Sequence, residues 1–145
     1  FKIGYHNFMR FGATRIAFKR KSIIKNGITF NLMFGGGARF SAGEDTLFLL
    51  DCLRNNLKII AVPEYIADLT NDRQSSWFKG YTNKFFIDRG ALFACISNKW
   101  SFLLCLQFVL RHHKHISKDK NRKDALTLMR KGIKEYKNLN KLLRK

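Results

Sequence analysis

The sequence predicts an α/β chain with a few strands and a mainly helical C-terminal part. Two strand-like segments support this. Residues Gly12–Arg20, "GATRIAFKR", alternate so that Ile16 and Phe18 share one face, and Lys58–Pro63, "KIIAVP", is a short apolar run closed by proline. The third observation is helical spacing of apolar residues over 43–55 and through most of the second half.

In chain order, "KSIIKNG" predicts a short helical turn stopped at Asn26-Gly27. "ITFNLMF" runs into "GGGARFSAG", where Gly35, Gly36, Gly37 and Gly43 admit unusual backbone angles. That loop is not a P-loop, because no Gly-Lys-Ser/Thr follows it, and it reads as a lip more than a phosphate cradle. A helix is expected from about Gly43 to Asn55, burying Leu49, Leu50, Leu53 and Leu57. "EYIADLTNDRQ" is mainly loop, after which Ser75 or Ser76 can cap a helix carrying Trp77, Phe78, Tyr81, Phe85 and Phe86. Ala91–Leu110 has the length of a membrane span, but Asn98 and Lys99 interrupt its middle, so two helices with a break near Ser97–Lys99 are expected. A last helix from about Asn121 to Leu143 lines up Leu126, Met129, Ile133, Tyr136 and Leu143 within a cationic surround.

The 145 residues suit one domain or a piece of a larger protein, and an apolar content of 46% argues against wholesale disorder. The chain opens at Phe1, and an N-terminal part is expected upstream. Net charge is +18, and residues 111–145 supply +10 of it, with thirteen Lys or Arg against Asp119, Asp124 and Glu135. Such a balance calls for an anionic partner or serves as a solubilising tail. Cys52, Cys95 and Cys105 lack metal or disulfide spacing and read as buried thiols. In "RHHKHISK", His112 and His113 point apart on a helix beside Lys114, which favours a basic surface over a metal site.

Glu44 and Asp45 admit two explanations. Ser41-Ala-Gly-Glu44 fits a capping box, and Asp45 would favour the positive end of the helix dipole. Alternatively they carry chemistry. The order strand, short helix, "GITFN", glycine loop, "GEDTLFLLDCLRNNLKI" and "AVPEYI" over residues 12–66 resembles the C-terminal half of the catalytic domain in family 2 glycosyltransferases. "SSWFKGYTNKFFIDRGALF" is similar to the helical segment of bacterial polysaccharide-assembly members.

That resemblance implies a partial GT-A-like (nucleotide-diphospho-sugar transferase) fold, with residues 1–96 as the acceptor-side half of a catalytic domain and 97–145 as a basic helical tail. It implies that Asp45 is the general base of an inverting sugar transfer, and that Glu44 orients the loop or bonds the acceptor. Gly36 and Gly37 would contribute to substrate binding. Arg39 would meet an anionic acceptor, Arg73 a diphosphate and Trp77 an acceptor sugar. For Arg73 a solvated loop position, and for Trp77 packing under the loop, are the structural alternatives. A divalent metal, Mg or Mn, is expected in the full-length enzyme, with ligands mainly outside this chain, which has no Asp-x-Asp. Many relatives place a His soon after the strand-ending proline, and none follows Pro63 in "EYIADLTND". "RQSSW" lacks the Arg before Trp of processive synthases, so a single addition is expected. The implied partners are a nucleotide-sugar donor, a saccharide or lipid-linked acceptor and an anionic membrane surface, at the cytoplasmic, inner face of the cell membrane. Taken alone, the chain is expected to be inert. A nucleic-acid module is disfavoured because Phe and Tyr fall on core-like stripes, while a non-catalytic basic membrane module remains the competitor.

Overall fold

The structure, a computed structural model, describes residues 1–65, 80–116, 118 and 120–143. It divides into two compact units, one formed by Phe1–Met33 and Gly43–Gln74, the other by Phe34–Ala42 and Ser75–Lys145.

In the first unit, strand β1 (Lys2–Ile3) pairs antiparallel with β2 (Ile59–Ile60), Lys2 opposite Ile60 and Ile3 opposite Ile59. The Phe1 and Ala61 backbones extend the ladder by exchanging two bonds of 2.8 Å. Between the strands lie helices α1 (Arg20–Lys25) and α2 (Glu44–Arg54). Both end in the same way. After α1, Gly27 takes a left-handed φ of 59°, its N–H bonds Ile24, and the Ile28 N–H bonds Ile23. After α2, Asn56 takes φ 56°, its N–H bonds Leu53, and the Leu57 N–H bonds Cys52. These are Schellman closures, in which a left-handed residue lets two backbone N–H groups satisfy the last carbonyls. The residue after each left-handed position, Ile28 or Leu57, then joins the core around Phe48 and Cys52. Phe30 stacks on Phe48 at 4.7 Å and Phe18 tilts onto it at 5.2 Å.

The second unit is helical. Helix α3 (Asn83–Ile96) starts at Thr82, whose hydroxyl accepts the Phe85 N–H. The chain breaks at Ser97–Trp100 and resumes as α4 (Ser101–Arg111), a short α5 (His113–Ile116) and the long α6 (Arg122–Leu142). Asn121 caps α6 by accepting the Lys123 N–H. Helix α3 packs chiefly against α6, through Gly90 on one and Gly132 on the other. A Cβ at Gly90 would stand 2.0 Å from the Met129 carbonyl oxygen, and one at Gly132 would stand 1.9 Å from that of Ile87. The missing side chains let the two backbones touch, and Phe86, Ala91, Met129, Ile133 and Tyr136 are buried around the seam.

The expected α/β class and its GT-A-like form are therefore corrected. Helices take up 57% of the described residues, and the sheet among them consists of two antiparallel strands of two residues each. A parallel sheet needs strands covered on both faces, whereas Ile60 is 51% exposed. Residues 12–20 form no strand. A single 3-10 turn covers Ala13–Arg15, and residues 16–19 are irregular up to α1. Alternation alone does not make a strand, and no segment among the described residues pairs with this one. Leu143, at the end of the apolar stripe expected on the last helix, is 71% exposed, while Met129, Ile133 and Tyr136 of that stripe are buried. No helix among the described residues is long and apolar enough to cross a membrane.

Candidate active site

Helix α2 begins at Gly43, whose carbonyl accepts the Leu47 N–H and whose φ of 122° suits glycine. Glu44 folds back, its carboxylate accepting the Gly43 N–H at 2.9 Å. Asp45 Oδ1 accepts the Thr46 N–H at 2.9 Å, so both acids satisfy donors that the first turn of a helix leaves open. Asp45 is half-buried. A Cβ on Gly12 would stand 3.4 Å from its Oδ2, so Gly12 lies close to that oxygen. Leu49, one turn along α2 from Asp45, and Phe11, next to Gly12, help to line a cavity of about 390 Å³ in the same unit. Its lining is largely apolar, with Arg15 and Glu64 as the charged members. The carboxylate stands next to this wall without forming part of it.

Neither bond of the expected capping box between Ser41 and Glu44 forms. Ser41 does not cap α2. Its N–H and hydroxyl both donate to Asp88 Oδ2 of α3, the N–H at 3.0 Å. Asp88 is 6% exposed, and Lys84 Nζ, one turn earlier, meets its two carboxylate oxygens at 3.0 and 2.9 Å. Lys84 also donates to the Arg39 carbonyl at 3.2 Å. These bonds pin the C-terminal end of the glycine loop to α3. Within the loop, the Gly35 N–H bonds Phe40 at 2.9 Å and the Ala38 N–H bonds Gly35 at 3.2 Å. Gly36 and Gly37 are exposed at its tip, Gly37 with a left-handed φ of 80°. The Arg39 guanidinium projects outward and pairs with Glu135 of α6 at 3.0 Å.

Glu44 and Asp45 thus belong to the first unit, and Gly36, Gly37 and Arg39 to the second. Arg73 and Trp77 lie outside the described residues. Sequence reasoning missed Asp88 and Lys84. The available signal was a lone acid inside the apolar run "FFIDRGALFA", with a lysine four residues before it.

Burial pushes the Cys105 thiol up to about 12, and burial together with neighbouring Asp51 raises that of Cys52. His112, packed on the Phe108 ring at 4.6 Å, is held below the usual imidazole range by burial and by Arg111, Arg89 and His115. Among the described residues no three His, Cys, Asp or Glu side chains gather where they could hold a metal. The resemblance puts the ligands of its divalent ion mainly outside this chain.

The chain was compared with protein-family models, curated proteins and solved structures, and it matches none of them. The likeness to family 2 glycosyltransferases therefore rests on the residues themselves.

Proposed function

We propose that the chain is the acceptor-side part of an inverting glycosyltransferase, which moves a sugar from a nucleotide-sugar to an acceptor hydroxyl in bacterial surface-polysaccharide assembly. The observation that carries this reading is Asp45 at the opening of α2, half-buried, oriented by the Thr46 N–H and facing Gly12 with its second oxygen. Glu44 is turned back onto Gly43, and the place of its carboxylate beside Gly12 singles out Asp45 as the base of the pair.

In this reading the acceptor O–H gives its proton to the Asp45 carboxylate as its oxygen bonds the anomeric carbon. The nucleoside diphosphate leaves on the opposite side with the electron pair of the broken bond. The hydroxyl becomes acidic as that bond forms, so a weak base within hydrogen-bond reach suffices. The test is Asp45→Asn in the full-length enzyme, assayed for transfer from a panel of nucleotide-sugars. A loss of about 10²- to 10⁴-fold is expected for a general base. Transfer at a near-normal rate would remove the assignment.

A second reading, a non-catalytic basic membrane module, is favoured by the net charge of +18 and by apolar side chains exposed on α4. It predicts that the intact protein binds anionic vesicles and transfers no sugar whatever stands at position 45.

A further inference from the structure

The turn between α3 and α4 and the facing side of α6 enclose an open groove of about 560 Å³ within the second unit. Among the described residues four cations line it, Lys99 from the turn and Arg130, Lys134 and Lys137 from α6, and no carboxylate does. Phe102 and Ile133 supply its apolar floor and rim. The three α6 cations fall at spacings of four and three residues, so they share one helix face and repel one another. None of the four makes an ion pair among the described residues. Glu135, the acid nearest in sequence, is taken by Arg39. A like-charged stripe without counter-charge costs helix stability, and a bound anion would recover it.

The rim says what kind of anion. Trp100 is 56% exposed, Leu103 54% and Phe102 48%, all within four residues at the start of α4. The Arg130 guanidinium lies 5.5 Å over the Phe102 ring and Lys99 Nζ lies 5.7 Å over that of Trp100. Such cation–aromatic pairs place charge and apolar surface at one level. A soluble phosphate has no use for three exposed apolar side chains. A bilayer surface does, because Trp and Phe settle at the headgroup level while cations meet lipid phosphates.

We propose that this groove binds the phosphate headgroup of an anionic phospholipid, with Trp100, Phe102 and Leu103 entering the interface beside it. The assignment stands apart from any role of Asp45, and its test needs no sugar donor. The intact chain is floated with vesicles of pure phosphatidylcholine and with vesicles also containing phosphatidic acid. The same is done for Lys134→Gln/Lys137→Gln, for Phe102→Ala, and for the charge-matched control Lys19→Gln/Lys21→Gln in the other unit, with circular dichroism as the check of folding. Each cation at an anionic surface is worth about 1 kcal/mol, so the groove pair should lower partitioning about 30-fold. The control pair should change it by no more than about 3-fold. Phe102→Ala, which leaves every charge in place, should also weaken binding. Glycerol phosphate and a duplex oligonucleotide serve as competitors and should fail to displace the protein from vesicles. The proposal is overturned if the two lysine pairs lose equally, if neutral vesicles bind as well, or if Phe102→Ala binds like wild type. Release by glycerol phosphate would point to a soluble phosphate and release by the oligonucleotide to nucleic acid, and either would equally overturn it.

Discussion

Replacing Gly132 with alanine sets two well-defined effects against each other. Alanine is the better helix former, and in the interior of a 21-residue helix the change should gain about 1 kcal/mol if nothing else mattered. The new Cβ, however, would stand 1.9 Å from the Ile87 carbonyl oxygen and 3.0 Å from the Ala91 amide nitrogen. Ordinary contact begins near 3.4 Å, so α3 has to retreat by about 1.5 Å. The obstacle is backbone within a helix, so no side-chain rotation relieves it. A gap of that width is narrower than a water molecule and stays empty. A gap of 0.5–1 Å already forfeits about a quarter to a half of each dispersion contact across it. A buried side chain makes about 40–60 contacts of 0.1–0.2 kcal/mol, so loosening Met129 and its neighbours costs about 3 kcal/mol, at the upper end for overpacking.

The net loss is therefore about 2 kcal/mol. For a unit of about eighty residues this lowers the melting temperature by roughly 8–16 °C. Differential scanning calorimetry of the wild type, Gly132→Ala and Gly90→Ala measures it. Thr127→Ala, at an exposed position of the same helix, gains propensity and gives up only the hydroxyl's bond to the Lys123 carbonyl, so it should melt at or slightly above wild type. The double variant Gly90→Ala/Gly132→Ala should fall short of the sum, because one retreat of the helices relieves both clashes. A Gly132→Ala protein that melts at or above the wild-type temperature would refute the close crossing.

Asp88→Ala should cost about 2–3 kcal/mol, because it strands the Ser41 N–H and hydroxyl while the exposed Lys84 ammonium rehydrates, whereas Lys84→Ala should cost about 1–2 kcal/mol, because the buried Asp88 carboxylate loses its counter-charge but keeps both Ser41 bonds. Equal losses in chemical denaturation would show that the ion pair, not the loop bonds, matters. Cys105 should resist thiol reagents at neutral pH until the protein unfolds, since it is buried and its thiol is pushed up to about 12. Mass spectrometry of alkylated native protein checks this, and early labelling there would contradict the packing of α4. Because His112 resists protonation when folded, the unfolded chain binds its proton first as pH falls, so stability should be present above about pH 6.5 and decline below it. His112→Gln should flatten that part of the profile of denaturation midpoint against pH.

Where the sequence was readable, local chemistry was decisive. Asn26-Gly27 announced the end of α1 because the left-handed angle belongs to that position whatever packs around it. Asn98 and Lys99 announced the break between α3 and α4, since a polar pair in mid-run interrupts any apolar helix face. The readings that failed depended on partners far along the chain. Ser41 was a sound local cap, but Asp88, 47 residues later, takes its hydroxyl. Residues 12–20 had the alternation of a strand and pair with no segment among the described residues, and a β-ladder is a property of two segments. Gly90 and Gly132 look like ordinary weak points in two helices until the helices cross. Glu44 reached back as expected, yet to Gly43.

The same distinction bears on the two acids. Both acids accept an N–H of the first turn of α2, so capping does not tell them apart, and the proposed base is singled out by where its carboxylate lies. Glu44 satisfies the Gly43 N–H. Asp45 gives one oxygen to Thr46 and holds the other toward Gly12. A carboxylate held by a backbone N–H has a fixed direction, which a positioned base requires. Gly12 is therefore a second handle on the same hypothesis. Its replacement by alanine would leave α2 capped and bring a methyl group to 3.4 Å from Oδ2. In the full-length enzyme that substitution should impair transfer without unfolding the helix, and a purely structural Asp45 would leave transfer untouched.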